Sequence, residues 1–204
     1  MDKKCFTYKT IASPSAATHR VLGSKHLAFA FPVSSIEDVK EHLEKLKRDY
    51  HDASHVCYAW RLGWEKKNYR HSDAGEPSGT AGRPIFGQLL SHDLTDVLVA
   101  VVRYFGGTKL GTGGLMDAYK TAAKLALDSA TIVEREARER WVIEFPYAHI
   151  GPMMKMVKDH HLEKISMEQG DPGKLEVFIP LFLLPEIQQK LAGLEGILMQ
   201  KTEV

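Results

Sequence analysis

Two stretches carry residue types whose spacing suits chemistry. The first runs from His71 to Pro84 and holds His71, Asp73 and Glu76 within six residues, followed by Thr80 and Arg83. A histidine and two carboxylates that close can supply an acid and a base, or ligate a divalent metal. The second runs from Arg103 through Tyr104 to Gly114. It interleaves Gly106, Gly107, Gly111, Gly113 and Gly114 with Thr108, Lys109 and Thr112. Glycine loses more backbone entropy on folding than any other residue, so such a cluster implies tight turns or close approach of the backbone to something else. A glycine-rich turn that opens a helix and is rimmed by donors is an anion site in physical terms. No Gly-Lys-Ser/Thr triplet follows, and no G-x-G-x-x-G turn stands in the required register, so neither standard phosphate fingerprint is present.

Elements that position these stretches can be read from periodicity. Val97-Leu98-Val99-Ala100-Val101-Val102 is an apolar, β-branched run and predicts a strand covered on both faces. Both chemical stretches are then expected as loops that open onto helices. Pro84 suits an early helical position, with Ile85, Phe86, Leu89 and Leu90 facing inward. The second helix is expected from about Thr112 to Ile132, with Leu115, Ala118, Ala122, Leu125 and Ser129 inward. Upstream, strands are expected over 6–11, 17–22 and His55–Leu62. Leu27, Phe29, Phe31 and Val33 alternate strictly and predict a strand with those residues on its buried face. Ser35 caps a helix whose apolar stripe is Ile36, Val39, Leu43, Leu46 and Tyr50. His55 and Cys57 share a strand face, but without an orienting third group they read as packing rather than a nucleophile pair. Trp64 to Arg70 reads as a polar loop whose cations and rings suit single-stranded nucleic acid.

The charged stretch 134–140 marks a boundary between residues 1–135 and 136–204. Beyond it the pattern changes: a strand over 141–145, a helix near 149–160 with Ile150, Met153, Met154 and Val157 inward, strands over 163–169 and 174–180, a helix near 184–194, and a strand over 197–203. That order, βαββαβ, is the ferredoxin-like split βαβ. The predicted class is therefore α+β in two domains.

Composition narrows the function. Formal net charge is +1 over 204 residues, which provides no global field for polyanions. The charge is divided unevenly: 19 Lys+Arg against 15 Asp+Glu in residues 1–135, a net +4, and 8 against 11 afterwards, a net −3. Any polyanion is expected on the first part. Two cysteines, Cys5 and Cys57, suggest neither a disulfide framework nor a zinc cluster and fit a reducing cytoplasm. The first residues lack the apolar region of a signal peptide, and no apolar run reaches the roughly 20 residues of a membrane span.

The string Arg103-Tyr104-Phe105-Gly106-Gly107-x-x-Leu110-Gly111-x-Gly113-Gly114-Leu115 resembles the signature of the YigZ/Impact family. So does Ser72-Asp73-x-Gly75-Glu76-Pro77-x-Gly79-Thr80-Ala81-Gly82-x-Pro84, with smaller matches at Ser24 and His55-x-Cys57-x-Ala59-Trp60. The resemblance implies an N-terminal domain like the second domain of a small-subunit ribosomal protein, over 1–135, and a ferredoxin-like C-terminal domain over 136–204. It also implies a role in translation or its regulation, with RNA or ribosome-associated components as partners. It carries no catalytic residue and no cofactor.

Three classes follow: a hydrolase or metalloenzyme built on His71, Asp73 and Glu76, a phosphate-handling enzyme using Lys109 and Thr112, and a non-catalytic binder. A loop with no second ligand cluster favours the binder. Asp73 is then expected in an Asx-turn or on backbone N–H groups, and Glu76 on Arg83 or Arg103. The expected binding surface comprises His71, Asp73, Glu76, Thr80, Arg83, Arg103, Tyr104, Gly106, Gly107, Thr108, Lys109, Gly111, Thr112, Gly113 and Gly114. No cofactor, metal or membrane is expected.

Overall fold

A computed structural model describes residues 6–202, so Cys5 and the extreme N-terminal charges lie outside the described residues. The fold is mixed α+β, and contacts divide it into two compact units, one of them Tyr8–Arg135 and the other reaching from Glu136 onward together with Phe6 and Thr7.

In the first unit, β2 (Ser15–Val21), β3 (Ser24–Pro32), β4 (His55–Leu62), β5 (Asn68–Ser72) and β6 (Val97–Tyr104) form one sheet in the order β2-β3-β6-β4-β5. Every neighbouring pair is antiparallel. The apolar run of β6 lies at the centre, and Val97 to Val102 are fully buried. Helices α2 (Gly82–Ser91) and α3 (Gly111–Asp128) cover one face, and α1 (Ile36–Asp49) covers part of the other. Helix α1 begins with a capping box: the Asp38 N–H donates to Ser35 Oγ at 3.1 Å, and the Asp38 carboxylate accepts from the Ser35 N–H at 3.2 Å. A separate two-stranded sheet pairs β1 (Thr7–Ile11) with β7 (Ile132–Glu136).

Several inward assignments change once packing is seen. In β3 the fully buried face is Ser24, His26, Ala28 and Ala30, while Leu27, Phe29 and Phe31 are only half-buried. The reason is size. The long helix α3 brings its small residues Ala118, Ala122, Ala123 and Ala126 against that face, and close approach requires small residues on both sides. Helix α3 stops at Asp128, Leu125 and Ser129 face solvent, and Tyr119 lies fully inside. In α2, Leu90 is exposed and Gln88 is buried in its place. His71 and Ser72, expected in a loop, belong to β5 together with Asn68, Tyr69 and Arg70.

The second unit contains β8 (Arg138–Phe145), α4 (Ile150–Asp159), β9 (Glu163–Glu168), β10 (Gly173–Pro180), α5 (Leu184–Ala192) and β11 (Leu198–Thr202), with a short 3-10 turn before α4. Its sheet order is β11-β8-β10-β9, antiparallel throughout. Ile143, Phe145, Leu175, Val177 and Ile179 pack against Met153, Met156, Ile187 and Leu191. Met156 rather than Met154 faces this core. The charged stretch 134–140 is built into β7 and β8: Arg138 sits 4.5 Å from the centre of the Phe178 ring, and Arg140 pairs with Glu176 at 2.6 Å.

Candidate functional site

Strand β4 is antiparallel to both β5 and β6, so β5 and β6 run in the same direction. Their C-terminal ends, and the loops 73–81 and 105–110 that follow, therefore leave the sheet at one edge. The starts of β3 and β4 reach the same edge, since Lys25 pairs with Tyr104 and His55 with Arg103. The two chemical stretches are brought together by topology.

Asp73 organises the first loop. Its Oδ2 accepts the Gly79 N–H at 2.8 Å, and its Oδ1 accepts those of Ala81 at 2.9 Å and Gly82 at 2.8 Å. Ala81 occupies the N-cap of α2 and offers no side-chain cap, so Asp73 caps this helix from across the loop. Burial opposes the charge on Asp73, but the three backbone N–H bonds outweigh it and hold the carboxyl below the usual carboxylate range. Gly82 is required here, because a Cβ at this position would meet the Ser72 backbone N at 2.7 Å.

Glu76 centres a buried cluster. Its Oε1 accepts from Arg103 Nη1 at 2.5 Å and from the Tyr119 hydroxyl at 2.8 Å, and His55 Nε2 lies 3.9 Å away. The side chains of Arg103 and Glu76 are 7% and 4% exposed. The Cys57 thiol donates to Asp73 O at 2.9 Å and lies 3.4 Å from the Tyr119 hydroxyl. Burial pushes this thiol up to about 12, so it is no nucleophile at neutral pH. Burial, with Cys57 and Glu76 beside it, also raises the Tyr119 phenol and keeps it a donor. His26 stands edge-on to Tyr119, with ring centres 5.1 Å apart. Burial and then the Arg103 charge lower its pKa to about 4, which leaves the ring neutral beside Arg103.

This arrangement corrects part of the expected surface. Glu76 and Arg103 pair with each other inside, and Thr80 is buried with its hydroxyl donating to Pro77 O at 2.6 Å, so none of the three lies on the exposed surface. Tyr104 donates to Asp52 at 2.7 Å. His71, Asp73 and Glu76 do not converge. Asp73 holds backbone N–H groups, Glu76 holds Arg103, and His71 lies on β5 with its ring 6.0 Å from that of Phe86. Among the described residues, no group of three or more His, Cys, Asp or Glu is placed to hold a metal. Exposed positions are His71, Arg83, Gly106, Gly107, Thr108, Lys109, Gly111, Thr112 and Gly113, with Gly114 half-buried.

The sequence reading missed Tyr119 and His26. Tyr119 was legible in principle, because it stands four residues after Leu115 and within the roughly 100° stripe of an inward helix face. His26 carried no signal, since its alternation with Ala28 and Ala30 was masked by the larger residues between them.

Gly106 illustrates backbone approach without a ligand. A Cβ there would fall 1.9 Å from the Gly23 carbonyl carbon and 2.2 Å from Ser24 N, so the β2–β3 turn occupies its space. Gly106→Ala is expected to lower stability by about 1–3 kcal/mol through forced backbone shifts. Gly113→Ala meets open space in the first turn of α3 and should be neutral or stabilising by under about 1 kcal/mol. Urea midpoints of the two variants test this contrast, and equal midpoints would refute it.

Comparison with known proteins places these residues in a family. The family profile described as Impact N-terminal domain matches residues 22–127. The chain is 28% identical over 183 residues to the IMPACT family member YigZ of Escherichia coli (strain K12), covering 89% of this chain and 90% of that protein. It is 37% identical over 140 residues to a Thermus thermophilus protein described as IMPACT family member in pol 5'region, covering 69% of this chain and 75% of that one. A crystal structure of a hypothetical protein matches with a TM-score of 0.77 and 26% identity, covering 97% of this chain and 98% of that one. The profile spans both loops and the elements supplying Glu76, Arg103 and Tyr119, and with these relatives it shows that the chain belongs to the Impact family.

Proposed function

We propose that the chain is a non-catalytic binder acting in translation or its regulation, and that it holds RNA on the sheet edge formed by loops 71–83 and 103–114. In this reading, residues 1–135 are a domain like the second domain of a small-subunit ribosomal protein, and residues 136–204 are a ferredoxin-like domain. The link to translation follows from family resemblance. The RNA surface rests on one contrast in the geometry. The N-terminus of α2 is filled by Asp73, whereas that of α3 has no side-chain cap and opens at Gly111-Thr112-Gly113, all exposed. Thr108 and Lys109, just before it, and Arg83 in the first turn of α2 are exposed, with no hydrogen-bond or ion-pair partner among the described residues. Free helix N–H groups rimmed by cations and hydroxyls suit a phosphate. Tyr69 supports a single-stranded ligand: it is 53% exposed and stacks on Phe86 with ring centres 4.7 Å apart. His71 stands two residues on and on the same face, 6.0 Å from the same Phe86 ring, and exposed rings of this kind can stack on unpaired bases.

Labelled single-stranded RNA titrated at several salt concentrations tests the proposal. With about 3–4 phosphates neutralised, a fourfold rise in salt should weaken binding roughly 20- to 50-fold. Replacing Arg83 and Lys109 together by alanine should lower affinity and flatten the salt slope by about 1 to 1.5 units. Salt-independent binding, or no change in the double variant, would shift the reading to a protein partner.

A further inference from the structure

The face of the five-stranded sheet under α1 is incompletely covered. Beside Phe29 on β2 stands Ala16, too small to shield it. The result is a cavity of about 410 Å³ between α1 and β3, floored by a continuous row of rings. His42 stacks on Phe31 at 4.2 Å, Phe31 stands parallel to Phe29 at 6.2 Å, and Phe29 meets Tyr50 at 5.6 Å. All four rings are partly exposed. Along the α1 side, the lining also includes Glu41, Lys45 and Asp49. Glu41 and Asp49 have no hydrogen-bond or ion-pair partner among the described residues, although each stands four residues from Lys45, a spacing that permits pairing on a helix.

We propose that this cleft binds an arginine side chain presented by a partner polypeptide. Aromatic faces attract a cation through their quadrupoles; His42 and Phe31 are stacked on each other, so Phe29 and Tyr50 are the rings left for a planar guanidinium, whose N–H fork can reach a carboxylate. The lining carries two carboxylates against one ammonium, so the sign fits a cation and opposes a phosphate. A purely apolar occupant would strip water from both carboxylates without replacing their hydrogen bonds. Lys45 is the internal competitor: it lines the same cavity, one helical turn from each acid, and its charge lowers the attraction for an incoming cation. This cleft lies on the α1 face of the sheet, whereas the RNA edge is built by the loops feeding α2 and α3, so neither reading depends on the other.

The test uses the full chain, isotopically labelled, and the capped peptide acetyl-Gly-Arg-Gly-amide, with its neutral citrulline counterpart as control. NMR shift changes are expected at Phe29, Phe31, His42 and Tyr50, and the citrulline peptide should bind at least about fivefold more weakly. Glu41→Gln with Asp49→Asn, both solvent-side changes, should weaken the arginine peptide by about 3- to 10-fold, and Lys45→Gln should tighten it by about 2- to 3-fold. The gain with Lys45→Gln separates a charge effect from damage to the fold. Equal affinity for both peptides, shifts confined to other regions, or no response to the three charge changes would overturn the proposal.

Discussion

Truncating either side of the Glu76–Arg103 pair should lower the unfolding free energy of the first unit by about 3–5 kcal/mol. Both side chains are almost wholly buried, so removing one leaves the other as an uncompensated charge in a medium that solvates it poorly. In Glu76→Ala the Arg103 guanidinium loses its carboxylate, and the Tyr119 hydroxyl loses its acceptor at the same time. Glu76→Gln keeps the shape and an acceptor for Tyr119, so its smaller loss isolates the charge. The double variant Glu76→Ala/Arg103→Ala should lose less than the sum of the singles, with a coupling of about 0.5–3 kcal/mol, because it removes both charges together. Urea unfolding, followed through amide exchange protection in β6, reads the unit that contains the pair. A loss below about 1 kcal/mol in either single variant would show that water or neighbouring groups compensate the remaining charge.

Asp73→Ala should rank second, at about 3 kcal/mol near neutral pH, since three backbone N–H groups lose a charged acceptor together. Asp73→Asn should recover roughly half of that. Its amide oxygen can still accept from Ala81 and Gly82, while its NH₂ then faces the Gly79 N–H, donor against donor. The pH dependence has a definite sign. The folded carboxyl lies below its unfolded value of roughly 3.9, so the unfolded chain binds the proton first as pH falls. The stabilisation is complete above that value and is lost as pH drops through the folded one. Asp73→Asn should therefore flatten the acid limb of stability below about pH 4 relative to the natural chain. An acid limb of unchanged slope would mean that other carboxylates carry it.

Local chemistry explains what could be read in advance. The Val97–Val102 run marked the central strand because a segment apolar on both sides can only be covered on both sides. Ser35 before Glu37 and Asp38 marked the start of α1 because its first N–H groups need an acceptor. The order of elements from Arg138 to Thr202 followed from alternating periods of apolar residues. The expectation that Asp73 holds backbone N–H groups and that Glu76 pairs with an arginine also followed from the sequence, since glycine-flanked acids beside arginines have nearby partners.

Tertiary structure decided the rest. Periodicity says that a segment has faces, but not which face meets the tighter layer. In β3 the large rings marked one face, yet the alanines and His26 on the other lie deeper because α3 comes close only where residues are small. The Glu76 cluster joins a loop to β6 and α3, across 27 and 43 positions of sequence, and local patterns hold no information about partners at that distance. The glycines show the same division. Their number announced an unusual backbone, but only the approach of the β2–β3 turn at 1.9 Å separates Gly106, which the fold requires, from Gly113, which has open space beside it. Composition records that a residue is small; the folded chain determines what occupies the volume that its side chain leaves.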